Sequence, residues 1–298
     1  MGYRTASKAN GPRDSDHSAP HRKGWLRRIR AGAVLGILLR VGVVCAPAAA
    51  QVTQLPTWKK QSPTASPTAR VYPTMAYDAM AGNVVLFGGE NFSGANGALN
   101  VLSDTWTWNG STWTQENPTN YPPARSSATM AYDPAADNMV LFGGQTGSAS
   151  VLGDTWVWNG SAWTEASTTG PPARSGATMA FDAATGNVVL FGGLPSSSSY
   201  SCRTCLNDTW AWNGSAWTEE FPATSPPVRY LTTMAYDAAT GNVVLFGGAG
   251  SNAKDLNDTW VWNGSTWNEE FPAVSPPARA AAAMAYDAAT GNVVLLGA

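Results

Sequence analysis

Few residues in this chain carry side chains suited to chemistry, and their spacing decides what they can do. Cys202 and Cys205 form a C-x-x-C pair inside a serine-rich stretch, residues 194–207. Such a pair serves as half a metal site, a redox couple or a local disulfide. Zinc needs two more soft ligands, and the third cysteine, Cys45, falls in a segment expected to be removed. Redox pairs usually open a helix, and no helical pattern surrounds this one. A disulfide pinning a loop is the expected state. Histidine occurs only as His17 and His21. Beyond that segment, Ser-His-Asp and Cys-His catalysis are therefore excluded. What remains is carboxylate or Arg/Lys chemistry.

Arginine returns at 70, 125, 174, 229 and 279, with spacings of 55, 49, 55 and 50 residues. An active site needs asymmetry, whereas a group present in every copy is most simply scaffold. The five arginines are read as structural, with an anion-attracting ring at a channel mouth as the lesser alternative. Asp78, Asp133, Asp182, Asp237 and Asp287 each close a Tyr-Asp or Phe-Asp pair. They are expected to cap local backbone N–H groups in turns.

The elements that position these residues follow from the repeat itself. One unit runs from Arg229 through Thr-Met-Ala-Tyr-Asp and Gly-Asn-Val-Val-Leu-Phe-Gly-Gly to Asn-Asp-Thr-Trp-Val-Trp-Asn-Gly-Ser-Thr-Trp and Pro-Pro-Ala. It reads as four strands. Strand a is Thr-Met-Ala-Tyr. Strand b is Asn-Val-Val-Leu-Phe, a continuous apolar run suited to burial on both faces. Strand c is Thr-Trp-x-Trp and strand d is Ser-x-Trp-Thr. Asn109-Gly110, Asn159-Gly160, Asn213-Gly214 and Asn263-Gly264 separate the last two. As type I′ turns they would set Trp106 opposite Trp113 and Trp108 opposite Ser111. All three Trp of a unit then share one sheet face. The Asn-Gly-Ser triplets also match a glycosylation acceptor, but hairpin geometry already accounts for them.

A four-stranded sheet apolar on both faces cannot stand alone, and stacking such sheets around an axis covers each of them. The repeat of about 50 residues, the Gly-Gly after strand b, and the Asn-Asp-Thr-Trp run resemble kelch repeats. Over residues 56–298 the chain is similar to the central domain of galactose-oxidase-like proteins. That resemblance implies an all-β, kelch-type β-propeller. Four full four-stranded blades are expected, plus an incomplete fifth shared by the two chain ends. Pro56-Thr57-Trp58 would supply its strand d, and residues 279–298 its strands a and b. Kelch propellers usually have six or seven blades, so both a small ring and a fragment of a larger one remain open. The family's copper is held by histidine and tyrosine, and those positions have no match here. No cofactor or metal is expected.

Residues 1–50 carry nine Lys/Arg and two Asp/Glu, leaving nine basic and eighteen acidic residues beyond. An acidic domain without a basic run is a poor nucleic-acid binder. Residues 1–30 are polar and basic, residues 31–49 mostly apolar, and Ala46-Pro47-Ala48-Ala49-Ala50 is a small-residue run. This is the layout of a secretory signal peptide cleaved after Ala50. An uncleaved membrane anchor is the alternative. The expected product is a secreted or extracytoplasmic monomer, residues 51–298.

Function is expected on the face carrying the b–c and d–a loops. The b–c loops, 90–103, 145–153, 194–207 and 249–257, vary between 14 and 9 residues, and variation on one face of a repeat scaffold marks binding. Phe92, Tyr200 and Arg203 lie in the long b–c loops and Tyr121 in a d–a loop. Tyr72 and Tyr230 begin strand a where other copies have Ser or Ala. Aromatic and Arg side chains give much contact energy at small entropic cost. These six are the candidate ligand-binding residues, for an extracellular glycan or protein. The alternative is a sugar enzyme using carboxylates at the channel mouth, as the resemblance to exported kelch epimerases allows.

Overall fold

The structure, a computed structural model, describes residues 59–297 except 94–97, 149, 168, 196–201, 203 and 252–253. The N-terminal segment, Trp58, Tyr200 and Arg203 lie outside the described residues.

Strand follows strand in the order the repeat dictates. The first blade holds β1 (Thr74–Asp78) and β2 (Asn83–Phe87). A short ribbon follows, β3 (Glu90–Asn91) and β4 (Asn100–Val101), then β5 (Thr105–Trp108) and β6 (Trp113–Glu116). The second contains β7 (Thr129–Asp133), β8 (Asn138–Phe142), β9 (Thr155–Trp158) and β10 (Trp163–Ser167). The third contains β11 (Thr178–Asp182), β12 (Asn187–Gly193), β13 (Leu206–Trp212) and β14 (Trp217–Glu220). The fourth contains β15 (Thr233–Asp237), β16 (Asn242–Phe246), β17 (Thr259–Trp262) and β18 (Trp267–Glu270). Each is an antiparallel four-stranded sheet in chain order. Among the described residues the fifth has β19 (Ala283–Asp287) and β20 (Asn292–Leu296). The described residues form an all-β propeller of four complete blades with a two-stranded one following.

Cores sit between blades, not within them. Val85 and Phe87 of the first blade pack on Met130, Met139, Leu141 and the three Trp of the second. The same pattern joins the second blade to the third and the third to the fourth. Phe87 meets Trp163 edge-on at 5.3 Å between ring centroids, as Phe142 meets Trp217 and Phe191 meets Trp267. Each such aromatic, once covered, contributes roughly 1.5–3 kcal/mol. The indole N–H of Trp163, Trp217 and Trp267 also donates to the strand-c hydroxyl of Thr105, Thr155 and Thr209 on the preceding blade, each at 2.9 Å.

The c–d hairpin differs from the expected register. Trp108 faces Trp113, and Trp106 faces Gln115. The turn is four residues long, because the Asn109 side chain accepts from the N–H groups of Ser111 and Thr112 while Asn109 N–H donates to Thr112 O. Only Gly110 takes a positive φ, +93°. The three Trp still share one face.

Arg125, Arg174, Arg229 and Arg279 each tie two blades together. Arg125 Nη1 and Nη2 donate to the two carboxylate oxygens of Asp154, both at 2.7 Å, and Nη1 also donates to Gly143 O. Its backbone bonds to the preceding blade: Arg125 N–H to Leu102 O, and Gly89 N–H to Arg125 O. Arg70, Arg174 and Arg229 pair likewise with Asp104, Asp208 and Asp258. The aspartates at the a–b turns cap backbone N–H groups, as Asp78 does for Met80 and Ala81.

Strands β1, β7, β11, β15 and β19 lie innermost, each touching the next, but β19 does not touch β1. The described residues therefore form an arc open between its first and fifth blades.

Candidate functional site

A channel of about 550 Å³ runs along the starts of the five innermost strands. Five equivalent residues there take left-handed φ: Tyr72 (53°), Ser127 (52°), Gly176 (63°), Leu231 (50°) and Ala281 (55°). That conformation costs a non-glycine residue roughly 1–2 kcal/mol. It lets the N–H of the last four donate to the carbonyl of the counterpart on the previous blade, from Ser127→Tyr72 (3.0 Å) to Ala281→Leu231 (2.8 Å). The lining is mostly threonine, alanine and methionine. Arg70 is its one charged residue among those described, and no carboxylate lines it.

The b–c and d–a loops form the channel's outer rim, and a second layer of pairing stiffens them. Glu90 exchanges backbone hydrogen bonds with Val71, both 2.9 Å, and pairs with Val101 on its other side. This fixes the ribbon β3–β4, which among the described residues is a two-residue ladder in the first blade alone.

The ribbon builds a groove of about 520 Å³ against residues 68–71. Phe92 stands at its edge, 68% exposed. Asn91 is held from two sides: its Nδ2 donates to Thr68 Oγ1 at 3.3 Å, and Ser93 Oγ donates to its Oδ1 at 2.6 Å. Glu90 is buried, and one carboxylate oxygen accepts from Ser126 Oγ of the second blade at 2.9 Å. Beneath lies Arg70, neutralised by Asp104. The groove thus presents one open aromatic ring above the largely buried, preoriented Asn91 amide and beside hydroxyl groups, with no unpaired cation among the described residues.

The architecture has a counterpart among solved structures. The one described as "Structure of YjhT" superposes with a TM-score of 0.59, covering 76% of this chain and 77% of that one at 13% identity. At that identity the likeness shows the fold alone. No family model matches the chain, and no curated protein matches it.

The four residues nominated from sequence that are described do not converge. Tyr72 lines the channel, Phe92 the groove, and Tyr121 a separate cleft with Asp104, Gln115 and Glu116. Tyr230 is buried with Leu194, Cys202, Cys205 and Ala249 in a small core under the third b–c loop. Its ring supports that loop from within. Cys202 and Cys205 are joined as a disulfide, 4.8 Å between Cα atoms.

Glu90 and Asn91 were not singled out from sequence. The signal was available, since the position after Gly-Gly reads Glu90, Gln145, Leu194 and Ala249 in successive copies. Phe221 and Phe271 were also passed over, although both are more than 80% exposed. Both sit in the same Glu-Glu-Phe-Pro-Ala context, in two successive copies.

Proposed function

We propose that this chain is an exported, kelch-type binding module whose first-blade groove recognises an extracellular glycan. The observation that carries this reading is the exposed Phe92 ring beside the fixed Asn91 amide, on the face where loops vary. A sugar offers an apolar C–H face for the ring and hydroxyls for the amide and Ser93. Aromatic anchors of this kind dominate binding energy. The channel carries no carboxylate among its described lining residues. That favours binding over the sugar-enzyme reading. Export rests on the basic, apolar and small-residue order of residues 1–50.

The test is a glycan array probed with the purified protein, followed by titration of the best hit. Phe92→Ala is expected to weaken binding at least about tenfold, corresponding to about 1.4 kcal/mol, while melting unchanged. Undiminished affinity in that variant, or silence across the array, would overturn the assignment. Export is checked by sequencing the N-terminus of secreted protein, which should begin at Gln51.

A further inference from the structure

The four c–d turns repeat an arrangement that scaffold needs explain only in part. In the first blade the side-chain carbonyl oxygen of Asn109, Oδ1, is ringed by donors. It accepts from Ser111 N–H at 3.0 Å, Thr112 N–H at 2.9 Å, Ser111 Oγ at 2.9 Å and Thr112 Oγ1 at 3.2 Å. The two N–H groups suffice to cap the turn, and the hydroxyls come in addition. Asn159, Asn213 and Asn263 keep both N–H donors and the serine hydroxyl, at 2.9 to 3.1 Å.

Glycine follows each of these asparagines, at 110, 160, 214 and 264. Its N–H donates to no backbone carbonyl among the described residues. All four asparagines are exposed. A main-chain nitrogen without a hydrogen-bond partner therefore lies next to a carboxamide carbon, with no side chain on the glycine to obstruct it. Joining that nitrogen to the asparagine Cγ closes a five-membered ring, so the chain itself supplies the proximity. Negative charge in that step develops on Oδ1, and donors already aimed at such an oxygen stabilise the transition state.

We propose that Asn109, Asn159, Asn213 and Asn263 are self-modifying sites, at which the turn converts its own carboxamide to a carboxylate with water as the co-reactant. The glycine nitrogen gives its proton to solvent and bonds to Cγ. The Cγ–Nδ2 bond breaks, and the departing nitrogen takes up a proton and leaves as ammonia. Water then opens the cyclic imide. Opening at Cγ gives aspartate, and opening at the main-chain carbonyl gives isoaspartate, which reroutes the backbone through the side chain. The sum is carboxamide plus water to carboxylic acid plus ammonia, with no change of oxidation state.

The consequence differs between blades, because the turns are not packed alike. A Cβ on Gly110 or Gly160 would meet nothing within 4 Å. On Gly214 it would lie 3.7 Å from Ala136 Cβ and from Asp133 Oδ2, and on Gly264 2.8 Å from Thr185 Cγ2 and 3.8 Å from Asp182 Oδ2. Asp133 and Asp182 are buried in the a–b turns of the preceding blades. A carboxylate formed at 213 or 263 thus adds charge to a turn that abuts a buried carboxylate across a blade seam, where salt screens little. At 109 and 159 the turn has no such neighbour. The sites are separate from the first-blade groove and stand independently of it.

The test holds the purified full chain in mildly alkaline, heavy-oxygen water and follows label at each asparagine by site-resolved mass spectrometry. All four sites should gain label faster in the folded chain than in the same chain unfolded by urea, a comparison that needs no variant. Ser111→Ala should slow Asn109 roughly two- to tenfold, the worth of one hydroxyl hydrogen bond, and leave Asn213 unchanged. Equal or slower labelling of the folded chain would overturn the proposal, as would an Asn109 rate indifferent to Ser111→Ala. Asn213→Asp and Asn263→Asp should lower the melting temperature more than Asn109→Asp and Asn159→Asp, and four equal shifts would overturn the effect at the seams.

Discussion

At the scale of single residues, the arginine–aspartate pairs govern how the fold responds to acid. Burial alone would raise the pKa of Asp154, but the Arg125 hydrogen bonds and charge, with Trp156, outweigh it and hold the carboxyl below its ordinary 3.8. Asp104, Asp208 and Asp258 are depressed in the same way. A depressed carboxylate stabilises the fold fully above its unfolded pKa. That contribution is lost as pH falls from the ordinary value through the lowered one. All four full blades should therefore weaken together in acid. Asp154→Asn leaves Arg125 buried and uncompensated, which costs about 3 kcal/mol at neutral pH. Its stability should then fall less than the parent's between about pH 5 and pH 2. Urea titrations across that range check both signs. The role of arginine as scaffold was legible in its recurrence. Its partner was not, because the aspartate lies 29 or 34 residues on, beyond the loop whose length varies.

At the scale of elements, the Gly-Gly after strand b decides how closely blades approach. A Cβ on Gly88 would lie 2.5 Å from Arg125 O, a backbone atom of the next blade, and φ there is +64°. Gly82, in the a–b turn, has a similar φ of +67° but nothing within 4 Å of its would-be Cβ. Gly82→Ala should therefore cost only the left-handed strain, about 1 kcal/mol. Gly88→Ala must also push two blades apart, and should cost several times more. Equal melting temperatures for the two variants would contradict the clamp. Strands a to d and their order were legible because apolar runs and turn residues alternate at fixed intervals. The hairpin register was not, since a two-residue Asn-Gly turn and the observed four-residue turn share the same letters. The Asn109 side chain chooses between them by capping Ser111 and Thr112.

At the scale of the molecule, an arc has two ends, and the sequence repeats too faithfully to say what each end meets. Phe92 was legible because it breaks the repeat, whereas its partners Glu90 and Asn91 depend on a ribbon found, among the described residues, in one blade. The first blade turns its Trp face away from the second. Met75 there is 55% exposed while its counterparts Met130, Met179 and Met234 are buried. Trp163 is buried against Phe87 and Thr105. Trp113, its counterpart, is partly exposed, and its indole N–H has no partner among the described residues. If the arc stays open in solution, Trp113→Phe should remove part of the acrylamide-quenchable fluorescence and shift stability by under about 1 kcal/mol. Trp163→Phe should leave the quenchable part intact and destabilise by about 2 kcal/mol or more, since it loses buried area and a buried hydrogen bond. Equal destabilisation by the two would mean that the first blade's face is covered in solution. The same pair of variants thus reads out whether sheets of identical pattern share one energetic environment, or whether position along the arc divides them.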